Sequence, residues 1–272
     1  MEQPGNQPDD VTQAALDTVS EAVELADQDE REAVALRRRG LRGRLTRRSK
    51  RAAGTRKVGA AIGGAARRSA SFTGRGVYSG GKWLSGQVLA MAPRLPVREQ
   101  ATLRRQYPDR TPDEIAEALI EGASRASAAV GVAVGAWSVL PFVPAIGVEL
   151  ATETLSVVGI EIKLVAELHE VYGIRAPGGV IERMTAYVGA WSQRRGVALA
   201  PGGLMLAASS PIARQLQRRL AARAGRSAFS LGPLLTGAVF GGLMNRRETR
   251  KLGGLMRADL RGRSPVRDGW LD

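Results

Sequence analysis

Apolar positions concentrate in one stretch of this chain, Ala126 to Gly173, whose first part (Ala126–Val148) runs 23 residues without a charge between Arg125 and Glu149. Pro141 and Pro144 interrupt that part. A proline cannot donate the helical hydrogen bond, so the stretch predicts a helical hairpin turned at these two residues, not one continuous span. The second arm begins near Ala145. Glu149, Glu153, Ser156, Lys163, Glu167 and Glu170 fall on one of its helical faces, while Glu161 and His169 fall outside that face. Gly173 is placed as the C-cap.

Other elements follow from the same periodicity. Asp9 and Asp10 can cap a helix running to Asp27, with Val11, Ala15, Val19, Ala22, Val23 and Ala26 along one face. That face is narrow and Ala-rich, so this helix is expected to form weakly alone, or against a partner. Trp83–Met91 predicts a short helix ended by Pro93 and Pro96, and Val97–Gln106 another. Thr111-Pro112-Asp113-Glu114 is the clearest helix start, with an N-cap hydroxyl, a proline at the first helical position and the capping-box glutamate. Beyond the hairpin lie an amphipathic helix (Val180–Arg195), an apolar turn around Pro201-Gly202-Gly203 and a basic helix (Ile212–Arg223). A second charge-free run follows, Ser227–Asn245, and then a basic tail. No alternating strand pattern of useful length occurs. The expected class is all-α: a helical bundle built on Gly/Ala-rich hairpins, with a disordered or weakly helical charged N-terminal region.

Charge refines the organisation. The 272 residues carry a net +14, but residues 1–36 hold ten acids and one base, and residues 37–82 hold fifteen bases and no acid. This divides the chain into an acidic amphipathic segment (1–36), a basic Gly/Ala/Ser-rich arm or linker (37–82), a helical domain (83–260) and a tail (261–272). The arm's cations are Arg37, Arg38, Arg39, Arg42, Arg44, Arg47, Arg48, Lys50, Arg51, Arg56, Lys57, Arg67 and Arg68. Such a run favours polyanions: anionic membrane lipid or nucleic acid. It lacks the interleaved aromatics on which single-stranded bases stack, and basic residues beside apolar helices suit anionic headgroups. Cysteine is absent, which excludes disulfides and thiolate metal sites and makes an intracellular location the simplest expectation. The polar, acidic N-terminus does not read as a signal peptide.

Two sequence blocks resemble the EcsC-like family. One is the Pro-broken apolar segment followed by a helix ending in Tyr-Gly, Pro141 to Gly173. The other is the pattern from Gly232 in which Pro233, Gly237, Gly241, Asn245, Thr249 and Gly253 fall at matching positions. The similarity covers roughly 83–260. It implies a helical, membrane-associated bacterial protein, in some relatives linked to transport operons, and it brings no catalytic residues.

Candidate chemistry is sparse. Gly131–Gly135 and Gly237–Gly241 are both GxxxG, a spacing that lets two helix backbones meet, in lipid or in a soluble bundle. Each lies in a long charge-free run of nominally spanning length, diluted by small residues. These runs suit association with a membrane better than stable spanning. Gly76–Trp83 nearly matches a phosphate-binding loop but places Trp83 where the hydroxyl is required, and no cofactor or metal is expected. His169 is the only histidine, so two-His metal motifs are impossible and a catalytic triad would need this residue. Glu161, on an apolar face, should pair with a cation (Arg183 or Arg125 being within reach) or titrate upward. Three function classes follow. They are a non-enzymatic membrane-associated protein at the inner face of the cell membrane with lipid or membrane-protein partners, a nucleic-acid-associated protein, and a helical hydrolase using His169 or Glu161. Oligomeric state stays open.

Overall fold

The computed structural model describes residues 7–38, 77–137, 146–200, 203–206 and 234–264. Seven α-helices are described: α1 (Gln7–Arg38), α2 (Val77–Met91), α3 (Gln100–Gln106), α4 (Pro112–Trp137), α5 (Ile146–Val171), α6 (Val180–Arg195) and α7 (Leu234–Arg263). The expected all-α bundle is what forms. One element differs: Val197–Ala200 (β1) and Gly203–Leu206 (β2) pair antiparallel, with Ala200 opposite Gly203, where the sequence predicted only an apolar turn. Both segments, VALA and GLML, carry no polar side chain, so they lack the apolar–polar alternation that marks a half-buried strand. Pro141, Pro144 and the predicted Ile212–Arg223 helix lie outside the described residues.

Local chemistry sets the helix ends. At the start of α4 the Thr111 N–H donates to Glu114 Oε2 at 2.8 Å and the Glu114 N–H donates to Thr111 Oγ1 at 3.3 Å, a complete capping box. Gly173 adopts φ 67° after α5. Its N–H bonds the Glu170 carbonyl, and the Ile174 N–H reaches the His169 carbonyl at 2.9 Å, the two closures of a Schellman cap. Gly196, at φ 62°, closes α6 in the same left-handed region.

The hub is α5, which touches α1, α2, α3, α4, α6 and α7. Leu155, Ile160, Ile162, Leu164 and Leu168 are fully buried along it. Helix α1 runs parallel to α5, because Val19 meets Gly159 while Asp27 and Glu167 share Arg98. The partner that α1 needs is therefore the bundle itself, and Val11, Ala15, Val19, Ala22 and Ala26 join one hydrophobic core with the downstream helices. Helix α6 runs antiparallel to α5, with Tyr187 beside His169 and Trp191 beside Glu161.

Candidate functional site

Helices α4 and α7 are antiparallel, and residue pairs fix their register along the whole seam. In one half the seam is ionic. Arg246 and Arg250 reach Glu121 at 2.6 and 2.9 Å, Arg250 and Arg257 reach Glu117, and Arg261 reaches Asp113 at 3.1 Å. In the other half it is made of small residues. A Cβ on Gly131 would lie 2.7 Å from Asn245 Nδ2 and 3.0 Å from the backbone of Gly241, and one on Gly242 would lie 3.0 Å from the Ala128 carbonyl oxygen. Gly131 and Gly241 thus meet across the seam. Gly135 lies one turn further along α4, and Gly237 one turn nearer the start of α7.

This register has a consequence for charge. Ala126–Trp137 on α4 and Leu234–Met244 on α7 lie side by side, each about 16–18 Å of helix without an ionisable side chain. Helix α5 begins at the same end, since it reverses direction after α4, and brings Glu149 and Glu153; α1, parallel to α5, begins there with Asp9 and Asp10, so the charge-free surface belongs to the α4–α7 seam and not to the whole end of the bundle. A third charge-free stretch, residues 196–213, includes the β-ribbon, and β2 packs against α2. That stretch is plain in the sequence. Its Pro-Gly centre reads as a turn, and no long helix pattern runs through it.

Just above the charge-free half of the seam sits a buried polar node. Glu161 accepts from Trp191 Nε1 at 2.9 Å, from Arg195 Nε at 3.0 Å and from Thr249 Oγ1 at 2.9 Å, and it pairs with Arg195 Nη2. Thr249 Oγ1 is 3.0 Å from Ser127 Oγ, and Asn245 Nδ2 donates to the Ser127 carbonyl at 3.3 Å. Four elements are tied here: α4, α5, α6 and α7. The partner of Glu161 is not Arg183 or Arg125. Arg183 is held by the Gly179 carbonyl, and Arg125 by Glu121 on its own helix. Arg195 wins because α6 folds back antiparallel and brings its last turn to the level of Glu161, a relation that spacing along the chain does not contain. With four donors on two oxygens the carboxylate is saturated, which fits a structural tie.

A second group of charges lies on the opposite side of α5. Here the polar face seen in the sequence is covered: Lys163, Glu167 and Glu170 are all buried. Arg98 grips Glu167 through Nε and Nη2, both at 2.8 Å, and also donates to Gln106. Lys163 pairs with Glu167 and donates to the Pro96 carbonyl at 2.8 Å. Burial pushes the Glu167 carboxyl up, but Lys163 and Arg98 outweigh it and hold the group at about 2. Arg175 clamps Glu170 through two bonds of 2.8 and 2.7 Å. These pairs seal the linker around α3 onto α5. The cavity beside them, between Asp27, Arg98, Tyr107 and Lys163, measures about 20 Å³, room for one water and not for a substrate.

His169 donates from Nδ1 to the Val165 carbonyl at 2.7 Å, and its ring packs at a 44° tilt against Tyr187 with centroids 4.8 Å apart. Burial lowers its pKa. It lies two helical turns from Glu161, about 12 Å along α5, and the two do not form a dyad. Among the described residues no group of His, Asp and Glu could hold a metal ion, and no helix is long and apolar enough to cross a membrane. Of the basic arm, Arg37 and Arg38 are the last residues of α1, and the cations from Arg39 to Arg68 lie outside the described residues.

No family model, curated protein or solved structure matches this chain. The likeness to the EcsC-like family therefore rests on the two sequence blocks alone.

Proposed function

We propose that this chain is a non-enzymatic, membrane-associated helical protein that docks at the inner face of the cell membrane by the end of its bundle that carries the charge-free half of the α4–α7 seam. The observation carrying this reading is the antiparallel seam of α4 and α7, which collects two long charge-free runs at one end and the ion pairs at the other. Within that seam the charges are segregated along the axis, as suits a helix pair whose one end meets the acyl boundary. The basic run from Arg37 to Arg68 adds attraction to anionic headgroups, worth about 1 kcal/mol for each well-placed cation. The likeness to the EcsC-like family points the same way.

The test uses intrinsic fluorescence. Trp137 ends α4 in the charge-free half of the seam, whereas Trp191 is fully buried in the node beside Glu161. In a W83F/W270F variant both remain, and vesicles of phosphatidylcholine and phosphatidylglycerol with brominated acyl chains should quench part of the emission. Removing Trp137 as well should abolish that quenching. Vesicle-bound protein with no quenching would sink insertion of this end. Absence of vesicle binding, together with DNA binding that falls steeply with salt, would favour the nucleic-acid reading instead.

A further inference from the structure

Apart from Arg263, which pairs with Asp259 on its own helix, the cations of α7 divide into two sets. Arg246, Arg250, Arg257 and Arg261 face α4 and each meets a carboxylate there. Arg247 and Lys251 lie on another row of the helix, exposed, and no described carboxylate pairs with either. Their row continues at the same spacing of four with Leu243 and Leu255, which are 59% and 45% exposed. Residues four apart stack along one helical face, so Leu243, Arg247, Lys251 and Leu255 form a single outward stripe. The nearest acids on the helix are engaged elsewhere, Glu248 with Arg195 and Asp259 with Arg194 and Arg263.

We infer that this stripe is a contact surface for an anionic phospholipid bilayer, with Arg247 and Lys251 on headgroup phosphates and Leu243 at the acyl boundary. The inference rests on the proposed docking by the charge-free half of the seam and adds the side of the bundle that faces the headgroups. The placement follows from the helix. Leu243 is at the edge of the charge-free segment, and Arg247 and Lys251 stand about 6 and 12 Å further along the axis, within the span of long side chains that snorkel to the interface. Along the axis the order is apolar and then cationic, Leu243 first and Arg247 and Lys251 beyond it. That order matches a surface that offers phosphates over hydrocarbon.

The experiment is flotation of the full chain on vesicles of phosphatidylcholine with phosphatidylglycerol. R247Q/K251Q is compared with R104Q/R105Q, which removes the same charge from exposed positions on α3. The first pair should weaken binding by roughly 30-fold (about 2 kcal/mol at 1.4 kcal/mol per tenfold), and the second should change it little. A chain carrying Leu243→Cys labelled with an environment-sensitive fluorophore should shift to the blue on the same vesicles. Equal effects of the two pairs, or bound protein with no blue shift, would overturn the stripe while leaving docking by the charge-free half of the seam in place. Failure of the wild-type chain to float would overturn both. Weakened DNA binding by R247Q/K251Q in a chain that does not float would assign the stripe to nucleic acid instead.

Discussion

Two glycines on α4 offer a direct test of the seam on which the functional reading depends. Gly122→Ala and Gly131→Ala make the same chemical change on the same helix. Alanine is favoured over glycine in a helix interior by about 1 kcal/mol. At Gly122 the added Cβ meets nothing within 4 Å, so the gain should be realised as a rise in Tm of about 2–4 °C. At Gly131 the Cβ would sit 2.7 Å from Asn245 Nδ2 and 3.0 Å from the Gly241 carbonyl group. The asparagine can turn away only by giving up its bond to Ser127, and the Gly241 backbone can move only by parting the helices. Overpacking of this kind costs about 1–3 kcal/mol. The two variants should therefore differ by that amount, with Gly131→Ala about 2–12 °C below Gly122→Ala. Thermal unfolding followed by circular dichroism reads the difference. Equal rises in both variants would mean that α4 and α7 do not approach closely at Gly131, and the alignment of the charge-free runs would lose its support.

Other outcomes follow from the buried charges. Arg195→Leu strands Glu161 in the core and should cost about 3–5 kcal/mol by urea denaturation, with Glu161→Gln added to it restoring part of the loss; a cost near zero would refute the node as described. Glu167 is held at about 2 against an ordinary value of 4.5, so the unfolded chain binds its proton first. The stability it contributes is complete above about pH 4.5, falls through the window down to about pH 2 and amounts to roughly 3 kcal/mol, a slope that Glu167→Gln should remove. For His169 the folded value is likewise depressed, so its contribution is present above the unfolded value near 6.5 and is lost as pH falls below it. His169→Phe should flatten that limb in a pH series of urea midpoints.

Much of the fold was legible because it depends on neighbours in the chain. The capping box at Thr111, the Schellman glycine at Gly173 and the boundaries of α6 are decided within a few residues, and the structure follows them. The apolar hairpin around α5 likewise announced the core. The resemblance to the EcsC-like pattern also marked Asn245, Thr249 and Gly253 as positions of note. Tertiary structure decided what these residues touch. Thr249 and Asn245 reach Ser127 only because α7 returns antiparallel to α4, across more than a hundred residues of chain. The polar face of α5 looks solvated when read by period alone, but Arg98 arrives from a separate segment and covers it. Glu161 had to find a cation, since a lone carboxylate in a core is too costly. Which cation it found was set by the direction of α6. Composition and period determine which side chains must leave water and where helices begin and end. Only the packing of helices distant in sequence determines which charges meet, and that the charge-free runs gather at one end of the bundle.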